Sequence, residues 1–165
     1  MIFKGNFMLI DLSDIDKKIL GAIQKDASIT NSELAERIGL SAAPCWRRIK
    51  SLEERGIISK RVGLLDPKTL GLNITAFANV KLSHVQENAL EEFEKEAVKF
   101  AEVTECYIIS GSMDFLLRIV TENMQSYERF LRKKLLRMPM VSEVNSHFAV
   151  TQVKYTTAVP LELSS

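Results

Sequence analysis

The stretch LSAAPCWRRIKSLEERGII, Leu40–Ile58, decides how this chain is read. Its apolar residues recur at helical spacing, with Cys45, Ile49 and Leu52 on one stripe. Ser41 occupies an N-cap position, and Pro44 falls in the first turn, where a missing N–H costs nothing. Gly56 ends the helix. At about 100° per residue from Cys45, the outer face carries Ala43, Pro44, Arg47, Lys50, Ser51 and Glu54, with Arg48 and Trp46 on the flanks. Small residues at the helix start allow close approach to another surface. The positive end of the helix dipole and the arginines favour phosphate, and arginine also pairs with guanine edges in a major groove. From charge alone, a solvated helix face is the commoner explanation of such a pattern. Trp46 is expected to pack between helices, and Cys45 reads as a small core residue.

Upstream, Ser13 and Asp16 have capping-box spacing, and Ile15, Ile19, Leu20 and Ile23 share one face of the helix they open. Thr30 and Glu33 repeat that spacing ahead of Leu34, Ala35 and Ile38, and Gly39 stands where a left-handed terminator belongs. Helix, short turn through Gly39 and second helix with a basic N-terminal end form a helix-turn-helix layout. Residues Ile57 to Asp66 look extended, with Lys60 and Arg61 as a small wing. Ser41 to Arg61 holds six basic and two acidic residues in a chain of net charge +1, so the excess is local and suits a small anionic target.

The segment from Leu12 to Leu72 resembles the N-terminal half of the leucine-responsive regulatory protein/AsnC family of bacterial and archaeal transcription regulators. The likeness rests on the aspartate-rich first helix, ELAERIGLS, the Pro44–Cys45 pair and RIKSLEERGII, and it extends from about Asp11 to about Val159. It implies double-stranded DNA as partner, with Ser41, Ala43, Pro44, Arg47, Arg48, Lys50, Ser51, Lys60 and Arg61 at the interface. It also implies an amino-acid effector and dimers that assemble further into octamers.

The connector GLLDPKTLGLN, with two glycines and a proline, marks a boundary. The expected organisation is a DNA-binding domain over residues 1–61, a linker over 62–73, and an effector-binding and oligomerisation domain over 74–165. Beyond the linker the order is β-α-β-β-α-β: strands through ITAFANVKLS, VTECYIIS, FLLRIV and VSEVNSHFAVTQV, and helices through QENALEEFEKEAVKF and MQSYERFLRKKLLRM. The fold class is α+β, a winged helix-turn-helix domain joined to a ferredoxin-like domain. In the latter, two helices cover one sheet face. Tyr107, Ile108, Ile109, Leu116 and Leu117 put apolar groups on both, so burial calls for a second copy against the open face.

The loop ISGSMDFLL, Ile109–Leu117, is the candidate effector site. Taken alone it is an ordinary hairpin turn. As a pocket, the Gly111 backbone and the Ser112 hydroxyl can hold a carboxylate and Asp114 an ammonium group, the pairing a free α-amino acid requires. The resembled family carries Gly-Asp-x-Asp here, near an effector site between dimers. Ser112 departs from it and leaves Asp114 as the carboxylate. Ile109, Met113, Phe148 and Val150 are the expected apolar neighbours, which favours an aliphatic amino acid, leucine or methionine.

Other classes fit less well. Cys45 and Cys106 are far apart and read as free thiols of a reducing cytoplasm, with neither a disulfide nor a zinc site. Apolar runs fall short of the roughly 18 residues a membrane span needs, and MIFKGNFMLI is a poor signal peptide. An alternative is a small ferredoxin-like α+β enzyme carrying a protein-interaction helical module. His84 and His147, the two histidines, lie on unrelated elements, and no triad or metal-ligand spacing accompanies them, so no catalytic residue and no cofactor are assigned.

Overall fold

The computed structural model describes residues 11–83 and 88–163. His84 and the opening MIFKGNFMLI lie outside the described residues. The chain divides into two compact units. One runs up to Leu64 and is joined by the chain from Lys154 on; the other is Leu65–Val153.

The first unit holds three helices, α1 Asp14–Ile23, α2 Asn31–Ile38 and α3 Ala42–Glu54. Both capping boxes form. The Ser13 hydroxyl accepts from the Asp16 N–H while Asp16 accepts from the Ser13 N–H, and Thr30 and Glu33 do the same on α2. Each satisfies two of the amides that a helix start leaves without partners. Gly39 ends α2 at φ 73°, a left-handed conformation that costs glycine little and lets the chain turn into α3. Ile19, Ile23, Leu34, Ala35, Cys45, Ile49 and Leu52 are buried together as the core. Burial also raises the Cys45 thiol above its ordinary range, which makes it a packing group and not a nucleophile.

Beyond Val153 the chain, described to Leu163, packs on the helical unit. The Gln24 side chain donates to the Val159 carbonyl at 3.2 Å and accepts from the Val159 N–H at 3.1 Å. Leu161 packs against the helical core, and its Cδ1 lies 3.9 Å from where a Cβ at Gly21 would sit. An amide side chain that reads a backbone amide in both directions, together with a half-buried leucine, explains the attachment.

The second unit contains β1 Ile74–Leu82, α4 Ala89–Ala97, β2 Val103–Ile108, β3 Phe115–Thr121, α5 Met124–Lys133 and β4 Val141–Phe148. The strands form an antiparallel sheet in the order β2-β3-β1-β4. On β1, Ala76, Ala78, Val80 and Leu82 face the helices and are buried with Phe93, Phe115, Leu117, Ile119, Tyr127 and Phe130. Phe93 and Phe115 stack with ring centroids 4.4 Å apart. The opposite face pairs Phe77 with His147 and Tyr107 with Leu116, beside an Arg118–Glu105 contact of 3.8 Å. Phe77 and Tyr107 are exposed on it. β4 stops at Phe148 and does not run on to Val153, because its last rung, the Ala149 N–H to the Thr75 carbonyl, meets the start of β1 and no strand continues beyond it.

Candidate DNA-binding face and effector loop

α3 begins without the side-chain cap its sequence promises. Ser41 is the N-cap residue, but its hydroxyl accepts no cap hydrogen bond. Pro44 sits at the third helical position and has no N–H to give, which removes one of the two amides such a cap can bind. Ser41, Ala42 and Ala43 are exposed at the positive end of the helix, where no side-chain cap takes up the first-turn amides.

The outer-face residues separate into two groups. Ser41, Ala43, Arg47, Lys50 and Ser51 are exposed, with Pro44 half-buried beside them. Lys50 lies 3.8 Å from Glu54 and over the Trp46 ring, 5.3 Å from its centroid. Trp46 is 49% exposed, so it does not pack between helices. Arg48 turns the other way. Its Nη1 donates to Asp16 Oδ1 at 3.0 Å, and Asp16 is a buried residue in the first turn of α1. Burial alone would raise the Asp16 carboxyl, but hydrogen bonds from Ser13 and Arg48 outweigh it and hold the group below its ordinary range. Arg48 thus ties α3 to α1, a role its flank position did not reveal. Arg61 donates to Glu53 Oε1 at 3.1 Å, and Lys60 is exposed. Both lie on an irregular extension. No wing strand is present among the described residues.

The loop between β2 and β3 is closed by the Ile109 N–H, which donates to the Asp114 carbonyl at 2.9 Å. Gly111 has φ 129° with nothing within 4 Å of where a Cβ would sit, and Ser112 is exposed. Asp114 faces β1: its carboxylate accepts from the Leu82 N–H at 2.7 Å and from Lys81 Nζ at 3.2 Å. The β1–β4 register shifts between those two residues, so the carboxylate serves a bulge that the ladder leaves short of an acceptor. The expected pocket is also divided. Asp114 donates its N–H to Val80 near the end of β1, whereas Phe148 pairs with Ala76 near its start. Four strand residues separate these points by roughly 13 Å. β4 runs antiparallel to β1, so Phe148 and Val150 lie at the other end of the sheet from Ile109, Gly111 and Met113.

No helix of the described residues is long and apolar enough to cross a membrane, and no group of three or more His, Cys, Asp or Glu stands ready for a metal among them. Residues 75–159 match the Lrp/AsnC ligand binding domain, and residues 12–59 match a winged helix-turn-helix DNA-binding family. Transcriptional regulator AzlB of Bacillus subtilis is 39% identical over 155 residues, covering 94% of this chain and 99% of that protein. A crystal structure of an AsnC family transcriptional regulator from Agrobacterium tumefaciens is 37% identical with a TM-score of 0.87, covering 92% of this chain and 98% of that one. A transcriptional regulator of Neisseria meningitidis, solved in complex with L-Met, is 35% identical with a TM-score of 0.88, covering 92% and 97%. The helix-turn-helix with its exposed basic face, the β-α-β-β-α-β unit that follows it in the chain and these likenesses over more than nine-tenths of the chain have one reading: this chain is a DNA-binding transcriptional regulator of the Lrp/AsnC family.

Proposed function

We infer that this regulator reads duplex DNA with the outer face of α3 and that its DNA affinity or assembly responds to an aliphatic α-amino acid, leucine or methionine. The observation that carries the DNA part is the uncapped start of α3. The Ser41 hydroxyl and the amides of Ala42 and Ala43 meet a backbone phosphate there, next to small residues that let it approach. Arg47 reads a base edge, and Lys50, Ser51 and Lys60 contact phosphate. Arg48 and Arg61 position α3 and the extension through Asp16 and Glu53.

The effector reading rests on the loop from Ile109 to Met113, which offers backbone donors and the Ser112 hydroxyl to a carboxylate. Asp114 holds that loop against β1. Phe148 and Val150 complete an apolar pocket only when a second copy supplies them, which is consistent with a homodimer through the open sheet faces and with a larger assembly such as an octamer. The solved relative with L-Met supports an amino acid of this class. We place the protein in the cytoplasm with its DNA.

The test is a gel shift on a selected operator, with and without leucine and methionine, beside sedimentation of the free protein. Two half-sites about 10 bp apart, or a multiple of it, are expected from a two-fold dimer. A monomer protecting one asymmetric half-site, or an operator affinity and assembly state indifferent to both amino acids, refutes the respective part.

A further inference from the structure

α5 carries a cavity that neither the DNA face nor the effector loop uses. It has a volume of about 280 Å³, and Leu72 and Phe130 contribute apolar lining. Lys134 and Glu102 also line it, and they neutralise each other, with Lys134 Nζ 2.7 and 2.9 Å from the two carboxylate oxygens. Three charged lining residues remain. Arg129 and Lys133 are exposed, one turn apart, and have no hydrogen-bond or ion-pair partner among the described residues. Glu122 keeps one carboxylate oxygen on the Ser126 hydroxyl at 3.0 Å. Two free cations and one carboxylate leave the cavity with one net positive charge over an apolar base.

We propose that this cavity binds a small acidic α-amino acid, a ligand with two carboxylates and one ammonium group. Residues four apart on a helix stand about 5–6 Å apart at Cβ, within reach of the two carboxylates of a short diacid. Arg129 takes one carboxylate through its planar fork and Lys133 takes the other. Glu122 takes the ammonium group. The ligand's net charge of minus one balances the cavity, whereas leucine would leave a cation unmatched. Leu72 closes the turn that runs into β1, so occupancy stiffens the entry to the sheet. The site is independent of the effector loop, and its failure leaves the response to leucine or methionine untouched.

Calorimetry on the full chain with L-glutamate and L-aspartate tests it, with glutarate and L-leucine as comparisons. Saturable binding of the acidic amino acids is expected. Glutarate should bind more weakly because it lacks the ammonium group, and leucine more weakly because it lacks the second carboxylate. Arg129→Gln with Lys133→Gln should raise the dissociation constant for glutamate by about tenfold or more, as the loss of charge-assisted bonds does. Glutamine keeps the helix propensity of the residues it replaces. Arg132→Gln, on the same helix but outside the cavity, should bind like wild type. Absence of saturable binding by either acidic amino acid overturns the proposal, as does equal binding by the double variant. It is also overturned if the double variant loses affinity only for duplex DNA, in which case α5 is a phosphate-contact face.

Discussion

Arg47 and Arg48 are neighbours in sequence with opposite duties, and replacing each by alanine separates them. Arg47 is exposed on the outer face of α3. Losing a base-reading arginine costs roughly 1–3 kcal/mol of operator affinity, about 5- to 150-fold in dissociation constant, with stability within about 0.5 kcal/mol of wild type. Arg48 should behave in reverse. Its guanidinium lies 3.0 Å from a carboxylate that is 10% exposed, but its own side chain is 40% exposed and screened by water. A charge-assisted hydrogen bond of about 1.5–3 kcal/mol therefore discounts to about 1 kcal/mol. For a unit of this size that lowers the melting temperature by roughly 4–8 °C. The Asp16 carboxyl sits below its ordinary range when folded, so its contribution is complete above the unfolded carboxyl value and disappears as pH falls through the lowered folded one. The stability gap between wild type and Arg48→Ala should be flat at neutral pH and close in acid, below about pH 4. Thermal unfolding across pH, with fluorescence anisotropy on operator and non-operator duplexes, reads both. Unchanged melting of Arg48→Ala together with a loss of operator preference would refute the assignment.

Lys50→Ala should weaken operator and random duplex alike and reduce the slope of log affinity against log salt by about 0.9, measured by anisotropy titrations at several salt concentrations. Gly39→Ala places a Cβ at φ 73° and should cost about 1–2 kcal/mol in denaturant unfolding; a neutral result would mean that the turn relaxes. Leu161→Ala should destabilise the helical unit by about 1–3 kcal/mol, since the side chain is half-buried against its core, and an unchanged denaturant midpoint would show that the tail is not part of that unit. Asp114→Ala strips the Leu82 N–H of its acceptor and should cost about 1–3 kcal/mol, while Asp114→Asn keeps an acceptor oxygen and should cost less. Equal stability of Asp114→Ala and wild type would return the carboxylate to a purely ligand-holding role.

The helices were legible because their determinants are local. The capping boxes at Ser13 and Thr30 and the left-handed Gly39 each act within a few residues, and the stripe of Cys45, Ile49 and Leu52 follows from helical geometry. The alternation on β1 was equally plain, because Ala76, Ala78, Val80 and Leu82 share one face. Long-range pairings were not legible. Nothing in the spacing of Asp16 and Arg48, 32 residues apart, announces an ion pair, and a helical wheel places Arg48 on a flank without saying which way its guanidinium turns. The packing of the tail was not legible for the same reason: Gln24 and Val159 are 135 residues apart, and an amide that reads a backbone amide leaves no periodic trace.

The effector pocket shows where sequence logic could have gone further. In a β-α-β-β-α-β order the β2–β3 loop and the Phe148–Val150 segment of one chain lie at opposite ends of the sheet. β1 pairs antiparallel with both β3 and β4, so the hairpin before β3 lies at the C-terminal end of β1 and the end of β4 at its N-terminal end. Topology alone therefore requires that a pocket built from both groups draw on two chains. Asp114 obeys a second constraint that topology imposes. A loop that donates its backbone to Val80 brings its carboxylate beside Lys81 and Leu82, where the ladder to β4 slips by a residue and leaves an N–H to be satisfied. The chemistry at Asp114 is thus committed within its own sheet, to the Leu82 N–H and the Lys81 ammonium group.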